Sequence, residues 1–430
     1  MAPRRTTGGM GAVEMRIGFV STRLNGVDGV SLEVEKWARV LVRLGHEVFY
    51  CAGELGGYAG GGTLIPSLHF EHQEIRALSR RAFGNGDEPQ NPETLADEIY
   101  EMADTMRGPL RRFIRGHKLD LLIAQNALTI PMNLPLGVCL TGLIAELGLP
   151  TLAHHHDFHW ERERYQGRAL QDLLDITFPA ELPSIRHVTI NSIAQRRLEA
   201  RRGIDSVVIP NVFDFANPPD GIDDYNRDLR TNLGLAPDEV FIIQPTRVIR
   251  RKNIEAAIEL VRRLELPGPG LFITHGAEDE GQTYLQWLRR EAVVMSVGLH
   301  QIDYLVEPER RKVNSHKIYS LWDVYSHADL VTYPSVYEGF GNALLEAVYF
   351  KRTLVVNRYP VYNSDIRLLG FDFIELDGFV DDDAVEKTRR LLSDPDAARA
   401  AAEQNYAVAR EHFSLEVLEA KLVDLIEEIK

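Results

Sequence analysis

The chain has 430 residues, 44% hydrophobic and 26% charged, an ordinary balance for a globular protein with room for two cores. A net charge of −15 argues against a general nucleic-acid binder, which needs a basic face. Two cysteines, Cys51 and Cys139, give neither a disulfide framework nor a metal cluster, and a reducing cytoplasm is the setting they imply.

The first 14 residues, MAPRRTTGGMGAVE, lack the apolar centre of a signal peptide and read as a disordered extension. No apolar run approaches the roughly 20 residues that cross a bilayer. Met15–Ser21 is an apolar run bounded by turn residues and predicts a buried strand. Asn25–Gly29 follows as a turn-rich loop, and Ser31 is placed to cap the next helix. That helix spans about Ser31–Leu44, with Glu33 and Glu35 suiting its dipole, and His46–Ala52 returns as a strand. The result is one βαβ unit without the G-x-G-x-x-G spacing of dinucleotide sites. Its loop can present backbone amides at the carboxyl edge of a sheet.

From Gly53 to Pro92 the breaker clusters GGYAGGG and GNGDEPQNP predict a long irregular segment, a lid or a binding loop. Thr94–Arg115 reads as a helix and Leu119–Gln125 as a strand. The basic run Arg107, Arg111, Arg112, Arg115 and Lys118 is interleaved with acidic residues nearby, which fits a solvated face better than a membrane patch. Asn133–Leu147 is helical, and the strand starting at Pro150 leads into HHHDFHWERERY. Neighbouring residues on a strand face opposite ways, so His154, His155 and His156 do not converge on one ion. One or two of them can line a cleft at the strand end. Arg162 and Arg164 suit a carboxylate or phosphate, because guanidinium forks match those anions.

Strand, helix and strand follow over His187–Ser192, Ile193–Arg202 and Ser206–Ile209. The Pro-, Gly- and Asp-rich stretch after Asn211 then marks a boundary. A second αβ series begins with strands at Val240–Thr246, Gly270–His275, Gln301–Leu305, Leu330–Thr332 and Thr353–Asn357. Helices separate them, and three more close the chain. The expected organisation is an N-terminal Rossmann-like domain over 15–212, a linker over 213–234, a C-terminal Rossmann-like domain over 235–410 and a C-terminal helix, 411–430, crossing back to the first. The fold class is α/β, two Rossmann-like domains with a cleft between them.

Two motifs in the second half carry chemistry. In TRVIRRKNIE, Arg247 and Lys252 flank a strand-to-helix loop that can bring both cations to one diphosphate. In PSVYEGFGNALLEA, Gly339 and Gly341 permit a tight turn, and a helix beginning near Asn342 offers a phosphate-ready N-terminus. Glu338 and Glu346 would stand about 12 Å apart along a helix, suiting two ends of a sugar nucleotide rather than one hydroxyl. Alone, each motif also fits a surface turn with solvated charges. The run Asp381–Asp383 precedes a helix and reads as its cap rather than a metal site.

Together these stretches resemble the retaining glycosyltransferases of family four, which have the two-Rossmann GT-B fold. The resemblance covers nearly the whole chain from Met15. Glu338 and Glu346 match the family's E-x7-E pattern, and TRVIRRKN its GR-x-x-x-x-K element with Thr246 in place of glycine. IPNVFD looks like its inter-domain PNGVD, and LAHHHDF like its strand ending in His-Asp, matched by His156 and Asp157. The triple histidine leaves that register open by one or two positions.

The resemblance implies Arg247, Lys252, Glu338 and His156 as catalytic residues. It implies donor contacts from Gly339, Phe340, Gly341, Asn342, Ala343 and Glu346. The loop Gly26, Asp28 and Gly29, with Arg23, Asp157, Arg162 and Arg164, would face the acceptor. It further implies a retaining hexosyltransferase that needs no cofactor and no metal. Its partners would be a nucleotide sugar and a small hydroxylated acceptor, with no nucleic acid, no membrane association and a homodimer left open. The N-terminal stretch and HHHDFHWERERY are similar to enzymes that mannosylate glucosylglycerate-type solutes, implying GDP-mannose as donor. Alternatives are UDP-glucose or another donor with a lipid or saccharide acceptor, a GT-B sugar-nucleotide epimerase, and a non-catalytic nucleotide-sugar sensor.

Overall fold

The computed structural model describes residues 14–429 apart from 27, 58–61, 85–90, 166–169, 269, 278–280 and 315. All but the last residue of the expected N-terminal extension lies outside the described residues. The chain divides into two compact units. One takes the chain up to Ile190, Ala194–Ile209 and everything from Leu418. The other takes Asn191–Ile193 and Pro210–Val417.

The first unit is built on β1 (Arg16–Ser21), β2 (Glu47–Ala52), β3 (Thr63–Leu64), β4 (Leu121–Gln125), β5 (Thr151–His155), β6 (Ile185–Thr189) and β7 (Ser206–Val208). They form one parallel sheet in the order β3-β2-β1-β4-β5-β6-β7. Strands β4 and β5 are buried along their whole length. Helices cover both faces of a parallel sheet, so its strands read as unbroken apolar runs. On one face, Leu110 and Phe113 of the helix Pro92–Gly116 and Leu140 and Ile144 of the helix Leu134–Leu147 close over Leu122. Asn133 caps the latter by accepting from the Leu136 amide at 2.9 Å, while its own amide donates to the Ser67 and Leu68 carbonyls. The final helix, Leu415–Ile429, packs here through buried Leu422 and through Lys421, whose ammonium donates to the Val208 carbonyl at 3.0 Å.

In the second unit, β8 (Ile242–Gln244), β9 (Gly270–Ile273), β10 (Gly298–Gln301), β14 (Leu330–Tyr333), β15 (Thr353–Asn357) and β16 (Ile374–Leu376) make a parallel sheet. Its order is β10-β9-β8-β14-β15-β16. Between β10 and β14 the chain adds a small sheet of β11 (Val306–Glu307), β12 (Arg311–Val313) and β13 (His316–Ser320). Arg310 anchors it by donating to Asp323 and Asp223. Ile258 and Val261 of the helix Ile254–Leu264 pack with Leu271, Leu288 and Val355 in this unit's core.

Both sheets start in the middle, build outward to one side, then cross to the other. In each, the chain reverses direction at the gap between its first strand and its fourth in-sheet partner, β1 beside β4 and β8 beside β14. The helices that follow two such neighbouring strands pack on opposite faces of a sheet, which makes the carboxyl edge beside them the usual place for a ligand.

Three expectations need correction. The segment Gly53–Pro92 is not irregular throughout: Gln73–Phe83 is a helix that buries Ile75 and Leu78. Its glycine-rich flanks mask an amphipathic stretch that is polar on average. The first helix begins at Gly29, so Asp28 rather than Ser31 is its cap. The strand expected over Gln301–Leu305 lies earlier, at Gly298–Gln301, and Asp303–Leu305 is a 3₁₀ turn.

Candidate active site

In the second unit, the loop after β8 and the loop after β14 are laced together. The first passes through the 3₁₀ turn Arg250–Lys252 and a left-handed Asn253 (φ 51°) into the helix Ile254–Leu264. The second runs from Pro334 to Gly341 and into the helix Asn342–Tyr349. The Val336 amide donates to the Arg251 carbonyl at 2.9 Å, and the Asn253 side chain donates to the Pro334 carbonyl at 3.3 Å. Glu338 is fixed at this seam. Lys252 donates to its Oε1, and Arg251 Nη1 donates to its Oε2 at 2.7 Å and to the Tyr337 carbonyl at 2.8 Å.

Only 7% of Glu338 and 8% of Lys252 is exposed. Burial pushes the Glu338 carboxyl up, but the charges of Lys252 and Arg251 outweigh it and hold the carboxyl below the usual range. Glu338 is therefore an anion at neutral pH. Arg247 is exposed on the same loop, and its charge reaches both Lys252 and His275. His275 follows β9, with Nδ1 2.8 Å from the Thr274 hydroxyl. Burial and then the charges of Arg247 and Lys252 push it down to about 4, leaving a neutral imidazole beside the cations.

Gly341 has φ 130°, a conformation side chains resist, and a Cβ there would collide with the Tyr359 hydroxyl. That hydroxyl donates to the Phe340 carbonyl at 2.7 Å, and the Phe340 ring is buried against Phe413. Gly339 is half-buried in the turn. Asn342 accepts from the Asn211 side chain at 2.7 Å and, with Ala343, opens the helix, whose first amides have no partner within it. One turn on, Glu346 accepts from the Tyr325 hydroxyl at 2.8 Å.

The first unit presents its own set. After β1, Leu24 pairs with the Glu54 carbonyl and Asn25 with the Glu54 side chain, and Gly26 turns the chain at φ 79°. Asp28 Oδ1 accepts from the Val30 and Ser31 amides, while Oδ2 accepts from the Ser31 hydroxyl at 2.8 Å and from Arg23 at 3.2 Å. The expected acceptor residues Arg23 and Asp28 thus pair with each other beside Gly29.

At the end of β5 the three histidines separate. His154 is buried and stacks on Trp37, with ring centroids 4.4 Å apart. His155 is buried between the Thr129 hydroxyl at 2.5 Å and His187 at 2.9 Å. His156 alone keeps partial exposure, its Nε2 3.2 Å from Gln125 Oε1 and its backbone amide donating to Asn126 Oδ1. Burial pushes it down to about 4, with the charge of Asp28 opposing that shift, so the imidazole is neutral at working pH. Asp157 pairs with Arg162, and Asn126 reaches it at 3.5 Å. Arg164 lies over the Tyr165 ring at 4.5 Å. Among the described residues no group of three or more His, Cys, Asp or Glu is arranged to hold a metal.

Sequence reasoning missed Arg251, His275, Gln125 and Asn126. Arg251 was hidden in a run of three cations, and His275 and Gln125 read as strand ends. Only Asn126 carried a local signal, a polar residue able to take the left-handed conformation it adopts at φ 57°.

No protein-family profile matches the chain. It is 35% identical over 437 residues to the mannosylglucosylglycerate synthase of Thermotoga maritima, covering 94% of this chain and 98% of that one. It is 32% identical over 392 residues to the mannosylglucosylglycerate synthase of Petrotoga mobilis, covering 84% and 86%. Among solved structures, a glycosyltransferase from Rickettsia africae superposes with a TM-score of 0.63 at 14% identity, over 97% of this chain and 99% of that one. That likeness establishes the GT-B fold. With the level and extent of identity to the two synthases, it follows that the chain is a glycosyltransferase of the mannosylglucosylglycerate synthase family.

Proposed function

We propose that the protein transfers a mannosyl group from GDP-mannose to a glucosylglycerate-type solute with retention of anomeric configuration. The observation that carries the reading is the buried Glu338 held between Lys252 and Arg251 at the strand-reversal point of the second unit. An anionic carboxylate there suits sugar hydroxyls, which donate to it strongly, and the cations beside it suit a diphosphate. The relatives' names supply the solute class.

In this reading Arg247 and Lys252 hold the diphosphate and stabilise the charge that develops as it leaves. Glu338 takes the mannosyl hydroxyls, the amides of Phe340, Gly341 and Asn342 lie alongside, and Glu346 takes the ribose. The bond between the anomeric carbon and the β-phosphate oxygen breaks as an acceptor hydroxyl oxygen bonds to that carbon from the same face. The hydroxyl proton passes to the departing phosphate oxygen, so no protein nucleophile is needed. His156 borders the reacting carbon. The Gly26–Gly29 loop, Arg23, Asp157, Arg162 and Arg164 receive the acceptor, with Arg23 and Arg162 exchanging Asp28 and Asp157 for its carboxylate. The cations would serve in place of a metal, so activity should survive EDTA; its loss, restored by a divalent ion, would refute metal independence.

Incubation with radiolabelled GDP-mannose and glucosylglycerate should give a labelled product whose mannosyl linkage is α, as in the donor. No product from this pair, with turnover on another donor–acceptor pair, would overturn the assignment.

A further inference from the structure

Glu338 accepts from two cations, while the donor's diphosphate needs one of them, Lys252. A lone Lys252–Glu338 pair in so dry a place would be self-neutralised. Drawing the ammonium onto a phosphate would leave a buried carboxylate without compensation, which is strongly unfavourable. Arg251 removes that conflict. Its Nη1 already satisfies Glu338 Oε2 and the Tyr337 carbonyl, and its own carbonyl accepts from the Val336 amide. It is thus fixed to the glutamate's loop by side chain and backbone together. The other groups facing the carboxylate, the hydroxyls of Ser335, Tyr333 and Tyr359, are neutral and bring it no second positive charge.

We propose that Arg251 is a positioning residue for donor binding: it keeps Glu338 paired as an anion so that Lys252 is free to move to the diphosphate. The inference rests on the assignment of this site to a nucleotide sugar and adds the division of labour between its cations. Arg251 does not touch the reacting atoms. It acts through Glu338, and a lysine at its position should serve nearly as well, because what matters is a second positive charge on the carboxylate.

The test is calorimetric binding of GDP, UDP and ADP to the full-length protein and its variants. Arg251→Gln should weaken binding of the preferred nucleotide by roughly tenfold or more, and Arg251→Lys should restore most of it. Glu338→Gln placed on the Arg251→Gln background should recover far more affinity than it adds to the wild type, because it unlocks Lys252. That coupling is what a mere loop tether or a general loss of positive charge would not produce. Equal binding by wild type and Arg251→Gln, or additive effects in the double variant, would overturn the inference and leave the site assignment standing. Failure of the wild type to bind any of the three nucleotides would remove the assignment and the inference together.

Discussion

Glu338 illustrates how a charge survives burial. Desolvation alone would protonate it, and two cations outweigh that tendency, so its carboxyl titrates below the usual range. A carboxyl depressed in the fold stabilises the native state above its unfolded value, and that contribution is lost as pH falls through the folded value. Catalysis should therefore persist in acid until well below neutrality. Glu338→Ala and Lys252→Ala should each lower the transfer rate at least about 10²-fold while circular dichroism stays native. Wild-type turnover in either variant would contradict the assigned roles. The buried histidines of the first unit act in the same direction, but over a higher pH range. Burial holds His154 and His155 well below 6.5 and pushes His156, His159 and His187 down to about 4. The unfolded chain then takes up protons first, so stability is complete above pH 6.5 and falls between there and about 4. The loss is up to about 1.4 kcal/mol per pH unit for each histidine. Melting temperature should drop through that window, and His187→Gln should make the drop shallower; a melting temperature level across the window would contradict it.

At the scale of elements, the decisive pieces are strand-to-helix turns that force special backbone. Gly341 is the strictest, since its φ of 130° and the Tyr359 hydroxyl both exclude a side chain. Gly341→Ala should destabilise the protein by roughly 1–3 kcal/mol and displace the Phe340 and Asn342 amides, with activity falling more than stability. Adding Tyr359→Phe should relieve the collision but not the backbone strain, giving partial recovery of stability and little of activity. Full activity in the single variant would show that the turn does not shape the donor site. This turn was readable beforehand from its two glycines and following apolar helix. The clasp on Glu338 was not, because Arg251 lies 87 residues away and nothing local distinguishes it from its neighbours Arg250 and Lys252. The histidine register was undecidable for a similar reason: alternation separates the three side chains, but only where β5 ends determines that His156 is the one left at the rim.

At the scale of the molecule, the parallel sheets were legible because strands covered on both faces read as plain apolar runs. What escaped were elements too short or too polar to announce themselves: β3, β16, the small sheet of β11, β12 and β13, and the helix Gln73–Phe83 between glycine clusters. No helix among the described residues is long and apolar enough to cross a membrane. The repeated strand order is the frame on which the functional reading stands, because it puts the TRVIRRKN and PSVYEGFGNALLEA motifs of the second unit at one carboxyl edge. The most direct test is a crystal structure with GDP-mannose bound. The diphosphate should lie within hydrogen-bond reach of Lys252 and Arg247, with mannosyl hydroxyls on Glu338; a nucleotide bound elsewhere, with Lys252 still paired to Glu338, would contradict the account.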